Sequence, residues 1–485
     1  MSKRWFCILA VLITLLGAGL RLPHLATRSL WFDETMAANN SRGSLIETVR
    51  NTRTDNSSPI LYPLVLHAAQ KLGHSAMIVR APSFAASVLL IIVVLVLGDK
   101  LLGSRAALLA ALLLAVAPSQ IHYAQEVREY ALSSLVAALM TLAYLAFLAR
   151  PGGRPEKLRL WAVLAIAPLV QYGLVLYAFA ILLAMVWTAL ADRTVSWRDI
   201  AVACAGLGAT GLFSFLFTLR YQWGQDVWYL VDYLFTAGSI NAGKFLLTNT
   251  LSLLTFLTPG RSAFALVVLG LALVLVLASR PCTRSIRKLS LCAGGIAIMA
   301  AVLHVYPLGS VRQCLYLAPL VCIAVAAGFE EISFPLGLGR SLRLLAVVAS
   351  IFAISGFAGV INRSPYEEFE DSQAVLNQSA RLATPADPVY IYYGARPAVE
   401  FYWDKEKRKN LIFGGMHRDR PENYSLELLS AIRPGTTRFW LVFSHITFSE
   451  DLRIVEDLRS AGWTVTDRLR TTGAALFEAT RPPDP

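Results

Sequence analysis

Nearly continuous apolar stretches recur between residues 5 and 361 of this chain. Many are about long enough to cross a ~30 Å hydrocarbon core as helices, and no alternating strand-like pattern interrupts them. Inside lipid, every backbone donor and acceptor must find its partner within the spanning segment or around a closed barrel, so the pattern dictates a bundle of membrane-crossing helices. The balance of residues agrees, with 56% hydrophobic and only 16% charged, against about 25% charged in an ordinary soluble domain. Roughly eleven spans are expected, at residues 5–22, 81–97, 106–117, 130–149, 160–170, 173–190, 200–219, 262–278, 289–303, 314–327 and 342–361.

The basic residues orient this bundle. With a cytoplasmic N-terminus, the cytoplasmic turns carry Lys3 and Arg4; Lys100 and Arg105; Arg150, Arg154, Lys157 and Arg159; Arg193 and Arg198; Arg280, Arg284, Arg287 and Lys288; and Arg340 and Arg343. Every cytoplasmic turn is thus positive inside, and orientation accounts for most of the net charge of +12. These cations form no aromatic-studded basic face, which argues against a nucleic-acid partner. The basic residues ahead of the first apolar run resemble a signal peptide, yet no small-residue cleavage site precedes Arg21, so that segment is expected to remain as the first span. The six cysteines lie in or beside spans without metal-ligand spacing, and they imply no disulfide.

The expected fold is therefore a polytopic α-helical membrane module, residues 1–361, followed by a small extracytoplasmic α/β domain, residues 362–485. After residue 361 the composition turns polar and mixed. Strands are expected at 389–393 and 438–443, an amphipathic helix at 450–461, and a hairpin of 464–469 with 474–479 around Thr472-Gly473. The domain has no nucleotide-binding glycine run and no nucleophile elbow, so a lid or acceptor-docking role is expected. Two external segments of the membrane module are long. Residues 21–80 contain amphipathic candidates at 44–52 and 60–72, and residues 220–261 carry Trp223, Trp228, Tyr229, Tyr233 and Lys244 in what reads as a surface-hugging segment.

Candidate chemistry gathers on the external side. SLWFDE, residues 29–34, follows the first span and sets two adjacent carboxylates, Asp33 and Glu34, beside Trp31 and Phe32 at the lipid boundary. Carboxylates there are costly to hold near hydrocarbon and add nothing to packing. They suit the first turn of a helix equally well, where the dipole favours negative charge. PSQIHYAQEVREY, residues 118–130, brings His122, Tyr123, Gln125, Glu126, Arg128 and Glu129 to the start of the fourth span. On helical spacing Gln125, Arg128 and Glu129 share a face, and Glu126 points about 100° away. Arg312 stands at the external entry of the 314–327 span. Each cation has a bland reading: Arg128 pairing with Glu129 or Glu126, Arg312 and Lys244 snorkelling to head groups.

In the order SLWFDE, then SPILYPLVLH (58–67, with Tyr62 and His67), then PSQIHYAQEVREY, then VRQCLYLAPL (311–320), the chain resembles glycosyltransferase family 39 and its relatives, the GT-C membrane glycosyltransferases. It departs at Gln171-Tyr172-Gly173, where many relatives carry a histidine. The resemblance implies transfer of a sugar from a polyprenyl-phosphate donor to an acceptor hydroxyl on a lipid, polysaccharide or protein, at the external face of a bacterial cytoplasmic membrane. Asp33 would then be the base, with Glu34 orienting it or the acceptor. Arg128, Arg312 and Lys244 would receive the leaving phosphate, and Glu126, His122, Tyr123, Gln125, Tyr62 and His67 would support them. The chemistry fits: the acceptor must lose a proton, and the departing phosphate gains charge. Single displacement with inversion is the simplest course. The resemblance fixes no cofactor and leaves a divalent cation as the candidate. Asp33, Glu34, Glu126 and His122 are the ligands a divalent cation would use, although arginines can serve a monophosphate leaving group. The alternative is a lipid or glycolipid transporter or flippase, which would tend to show internal repeats and ionisable groups at mid-membrane.

Overall fold

The computed structural model describes residues 2–53, 58–222, 228–236, 241–259, 262–278, 281–333, scattered positions between 340 and 358, 369–403, 410–417, 420, 422–446 and 449–482. The chain separates into two compact units. One comprises Met1–Pro23, Leu45–Leu72 and Arg80–Tyr366; the other comprises His24–Ser44, Gly73–Val79 and Glu367–Pro485.

The first unit is a helical membrane fold. Among the described residues, seven helices are long and apolar enough to cross a bilayer: Lys3–Arg21, Ala76–Leu102, Tyr130–Ala149, Gly173–Ala191, Trp197–Gln222, Thr283–Val302 and Arg312–Ser333. Shorter apolar helices cover Ser104–Val116 and Ala242–Leu257, and further helices cover Arg154–Val170 and Ser262–Ala278. Each expected span from 5–22 to 314–327 therefore coincides with a helix, although not each is long enough to cross alone. The last, 342–361, lies for the most part outside the described residues.

Ser104–Val116 forms the centre of this unit. Ten of its residues are buried, on all sides of the helix, as expected of a helix that is apolar all round. It packs against Lys3–Arg21 and Ala318–Ser333, an approach that small residues permit: a Cβ on Gly17 would stand 3.3 Å from Ala115 Cβ and 2.4 Å from Ile91 Cδ1. Its C-terminal carbonyls would be orphaned in the bundle. The fully buried Arg21 satisfies them, donating to the carbonyls of Leu114 at 2.9 Å and Ala115 at 2.8 Å, and also to Gly17 O and Ser87 Oγ.

One element differs from expectation. The surface-hugging segment proposed for 220–261 contains an apolar helix, Ala242–Leu257, that buries Phe245, Asn249, Leu253 and Leu257. This stripe repeats every four residues, the period of one helix face, and its own Asn249, together with interspersed Thr and Ser, conceals it in the sequence. Trp223 lies outside the described residues.

The second unit holds a five-stranded sheet of order β2-β1-β3-β5-β4, with β1 Val389–Ile391, β2 Leu411–Phe413, β3 Arg438–Ser444, β4 Thr464–Thr471 and β5 Ala474–Thr480. β1 runs parallel to β2 and β3, while β3–β5 and β4–β5 are antiparallel. The hairpin, both expected strands and the Glu450–Ser460 helix stand where the sequence put them. Gly473, at φ +62°, makes the hairpin turn, a conformation glycine adopts without steric cost. Aromatic and aliphatic side chains fill both faces of the sheet, Tyr392, Phe439, Phe443 and Phe477 on one, Val389, Ile391, Trp440 and Leu476 on the other.

This unit also takes up residues 24–44 of the first external segment, which the linear division at 361 had assigned to the membrane module. The Phe32–Asn40 helix packs against the Arg396–Tyr402 helix, and Asn39 Nδ2 donates to Pro397 O at 2.9 Å.

Candidate functional site

Within the helical unit, a buried polar cluster is built on the segment between the Pro118–Tyr123 helix and the Tyr130–Ala149 helix. The sequence reading continues one helix through it, but residues 124–129 form a turn, in which Arg128 N donates to Glu126 O at 2.8 Å. The expected common face of Gln125, Arg128 and Glu129 is therefore not a helix face, and all three are buried along with Glu126. Gln125 Nε2 donates to Arg21 O at 3.1 Å, tying the turn to the end of the first helix.

Two arginine–carboxylate pairs organise the turn. Arg128 Nε stands 3.5 Å from Glu129 Oε2, with side chains only 5% and 3% exposed. Arg312 enters from the start of its own helix and sets Nη1 3.4 Å from Glu126 Oε1, with 22% and 1% exposure. Both distances exceed the 2.7–2.9 Å of a tight charge-assisted bond. Arg312 also lies over the Tyr130 ring, 5.6 Å from its centroid. Of the four charged groups it is the most accessible.

Neighbouring groups fix this geometry. Ser83 Oγ donates to Arg128 O at 3.0 Å and lies 2.9 Å from the Tyr62 hydroxyl. With the serine proton committed, the tyrosine must donate, and Tyr62 thereby braces the Arg128 backbone. Ser58 Oγ donates to Glu129 Oε2 at 3.4 Å. Tyr123 meets Tyr130 and Phe256 edge-on, and His122 packs against Tyr123. His67 is occupied elsewhere, its Nδ1 3.2 Å from Thr48 Oγ1. Lys244 is exposed in the first turn of its helix. It precedes Phe256, where that helix meets Tyr123, by about 18 Å of helical rise.

At the point of departure from the relatives, Gln171 is buried and donates to Gln313 O at 3.4 Å. A Cβ on Gly173 would lie 2.5 Å from Tyr316 Cε1 and 2.6 Å from the Tyr306 hydroxyl. No larger side chain fits at 173 without moving both rings, and Tyr306 itself donates to Gln313 O beside Arg312.

In the other unit, Asp33 and Glu34 occupy the first turn of Phe32–Asn40. Glu34 is fully buried and accepts from Trp31 N at 3.4 Å, so it helps satisfy the start of the helix. Asp33 is half-buried. The motif is gripped at several points, by backbone and side chain: Leu30 N donates to the Tyr402 hydroxyl at 2.7 Å, Gln373 N to Ser29 Oγ at 3.1 Å, and Trp31 packs on Phe369. Among the described residues, no group of three or more His, Cys, Asp or Glu side chains is arranged to hold a metal ion.

Residues 57–217 match the family model for dolichyl-phosphate-mannose-protein mannosyltransferase. The fold is similar to that of ArnT from Cupriavidus metallidurans bound to undecaprenyl phosphate, with a TM-score of 0.62 and 14% identity over 99% of this chain and 98% of that one. It is also similar to the oligosaccharyltransferase AglB from Archaeoglobus fulgidus in complex with an inhibitory peptide and a dolichol-phosphate, with a TM-score of 0.52 and 11% identity over 90% of this chain and 69% of that one. No curated protein sequence matches the chain. The resemblance to GT-C membrane glycosyltransferases is borne out, and at these identities the structural likeness is one of fold.

Proposed function

We propose that this protein transfers a sugar from a polyprenyl-phosphate donor to an acceptor hydroxyl at the extracytoplasmic face of the membrane. The observation that carries the reading is the buried turn 124–129, which lies inside the family match and is joined by Arg312 from nearly two hundred residues away. A chain that holds two arginines and two carboxylates in the polar end of an apolar bundle bears a desolvation cost that packing alone does not justify.

Each group takes a role by its chemistry. Asp33 accepts the acceptor's proton as the hydroxyl oxygen attacks the anomeric carbon. The bond from that carbon to the phosphate oxygen breaks, and the monophosphate leaves with added negative charge. Arg312 receives that charge: it is the most exposed of the four charged groups and holds Glu126 at a long distance, so it can turn one edge of its guanidinium to phosphate. Arg128, braced by Tyr62 and Ser83 and paired with Glu129, fixes the turn and adds positive potential. Lys244 is an outlying cation for the same anion. One displacement without a covalent intermediate inverts the anomeric centre. Glu34 holds the helix start that carries Asp33.

The test combines mass spectrometry of prenyl-phosphate sugars and envelope glycans with the variant Asp33→Asn. Cells lacking the gene are expected to accumulate one polyprenyl-phosphate sugar and lose one glycan modification. The variant should do the same while the purified protein keeps the Tm of the parent. Unchanged lipid and glycan profiles in Asp33→Asn cells would remove Asp33 from the reaction.

A further inference from the structure

The Phe32 backbone N–H, at the first position of the helix that bears Asp33, belongs to the group of helix donors that have no partner within the helix. It donates to Glu370 Oε2 at 3.0 Å, a carboxylate 338 residues further along the chain. Glu370 is itself buried. Its Oε2 also accepts from Ser444 Oγ at 3.2 Å, and its Oε1 lies 2.6 Å from His445 Nδ1. The His445 ring in turn stacks on the Phe32 ring, centroids 4.2 Å apart and planes 13° apart. Glu370 and His445 thus hold Phe32 by backbone and by side chain at once. Since Asp33 is the next residue, they set the rotation of its helix.

Two features show that this site is built at a cost. His445 sits at φ +58°, the left-handed region that a non-glycine residue adopts only when its surroundings impose it. Gly394 makes room beside it: a Cβ there would stand 2.5 Å from Ser444 O and 2.9 Å from His445 Cβ. The anionic Glu370 at the helix start is in turn favoured by the positive end of the helix dipole, which helps offset that cost.

We propose that Glu370 and His445 are positioning residues that orient Asp33 through Phe32, which makes the C-terminal domain a working part of the catalytic apparatus. The proposal rests on the reading of Asp33 as the base. Its test has two readouts on the full-length chain. The first is hydrogen–deuterium exchange in detergent micelles, comparing peptides from residues 29–41 with peptides from β3 and β5 in the parent, His445→Ala, His445→Asn and Glu370→Ala. Asparagine keeps a side-chain donor toward Glu370 and tolerates positive φ. His445→Asn should therefore retain protection at 29–41. His445→Ala and Glu370→Ala should lose it roughly tenfold or more, the effect of losing a hydrogen bond to a charged group, with β3 and β5 unchanged.

The second readout is the polyprenyl-phosphate sugar in cells, which should accumulate in His445→Ala and be rescued in His445→Asn. Unchanged exchange at 29–41 in His445→Ala, or identical behaviour of the two His445 variants in both readouts, overturns the proposal. If Glu370→Ala loosens the whole sheet, the His445 pair decides alone. The exchange result does not depend on sugar transfer. Lost protection at 29–41 alongside a silent Asp33→Asn would refute the base and leave the anchor standing.

Discussion

At the level of single residues, the two arginines of the turn answer different questions. Arg128 is buried with its carboxylate partner, so removing it leaves Glu129 uncompensated in the bundle. Arg128→Ala is expected to cost about 3–5 kcal/mol of stability, seen as a fall in Tm. Arg312 is more accessible, and its guanidinium stands 3.4 Å from the Glu126 carboxylate. Arg312→Lys keeps the charge and loses the planar fork that suits phosphate, so it should leave Tm nearly unchanged and reduce transfer roughly tenfold or more. Thermal unfolding and donor turnover, measured on both variants, check the division; equal loss of Tm in the two would make Arg312 a structural residue. The sequence marked both arginines, because external cations break the positive-inside pattern. It did not separate them, since burial and partner are decided by the turn at 124–129 and by a helix that joins it from position 312. The glutamate it turned away from the others, Glu126, is the one that Arg312 reaches.

At the level of elements, the spans were legible because apolar runs register on a scale of about twenty residues, which a bilayer makes decisive. Ala242–Leu257 escaped because its buried stripe is one residue in four, and such a stripe reads as an interfacial pattern until a neighbouring helix is there to cover it. The strands of the C-terminal sheet were legible where they alternate or end at a turn, as in 464–480. The three-residue β2 carries too little pattern to read. Where the interior strands β1 and β3 begin, their parallel pairing is clipped by Asp387, whose carboxylate takes a two-pronged bond from Arg438, Nε to Oδ1 at 3.1 Å and Nη2 to Oδ2 at 2.8 Å, and another from Thr384 N at 2.8 Å. Partial burial raises its pKa, but the Arg438 and Thr384 bonds outweigh that and hold it below the usual carboxylate value. A lowered folded pKa contributes stability above the unfolded value of about 3.9 and loses it as pH falls through the folded one. Tm of the protein, measured between pH 6 and pH 2.5, should fall below about pH 4, and Asp387→Asn should flatten part of that fall. Parallel curves for parent and variant would show that the clip contributes nothing.

At the level of the molecule, the composition shift near residue 361 precedes a small C-terminal sheet domain, which the fold does contain. What it could not reveal is that residues 24–44 belong to that domain, because the contacts joining them span more than three hundred residues and leave no periodic trace. The consequence is that the two compact units are interleaved in sequence, and cutting the chain at the composition boundary does not yield an intact half. Leu30, Trp31 and Phe32 would lose the hydroxyl of Tyr402, the ring of Phe369 and the ring of His445 together. Their segment would then have to stand as a nine-residue helix with little packing, and a helix so short is marginal in water without tertiary support. Arg28 reports on this directly, since it is only 4% exposed in the intact fold. In a chain ended at residue 366 and inserted in membranes, trypsin should cut after Arg28 at least roughly tenfold faster than in the full chain, because local opening no longer costs the contacts of the sheet domain. Cleavage after Arg42, already exposed, should change far less and serves as the internal control. Equal rates at Arg28 in the two chains would mean that the Asp33 segment folds without the C-terminal domain, and Glu370 and His445 would then have nothing to position.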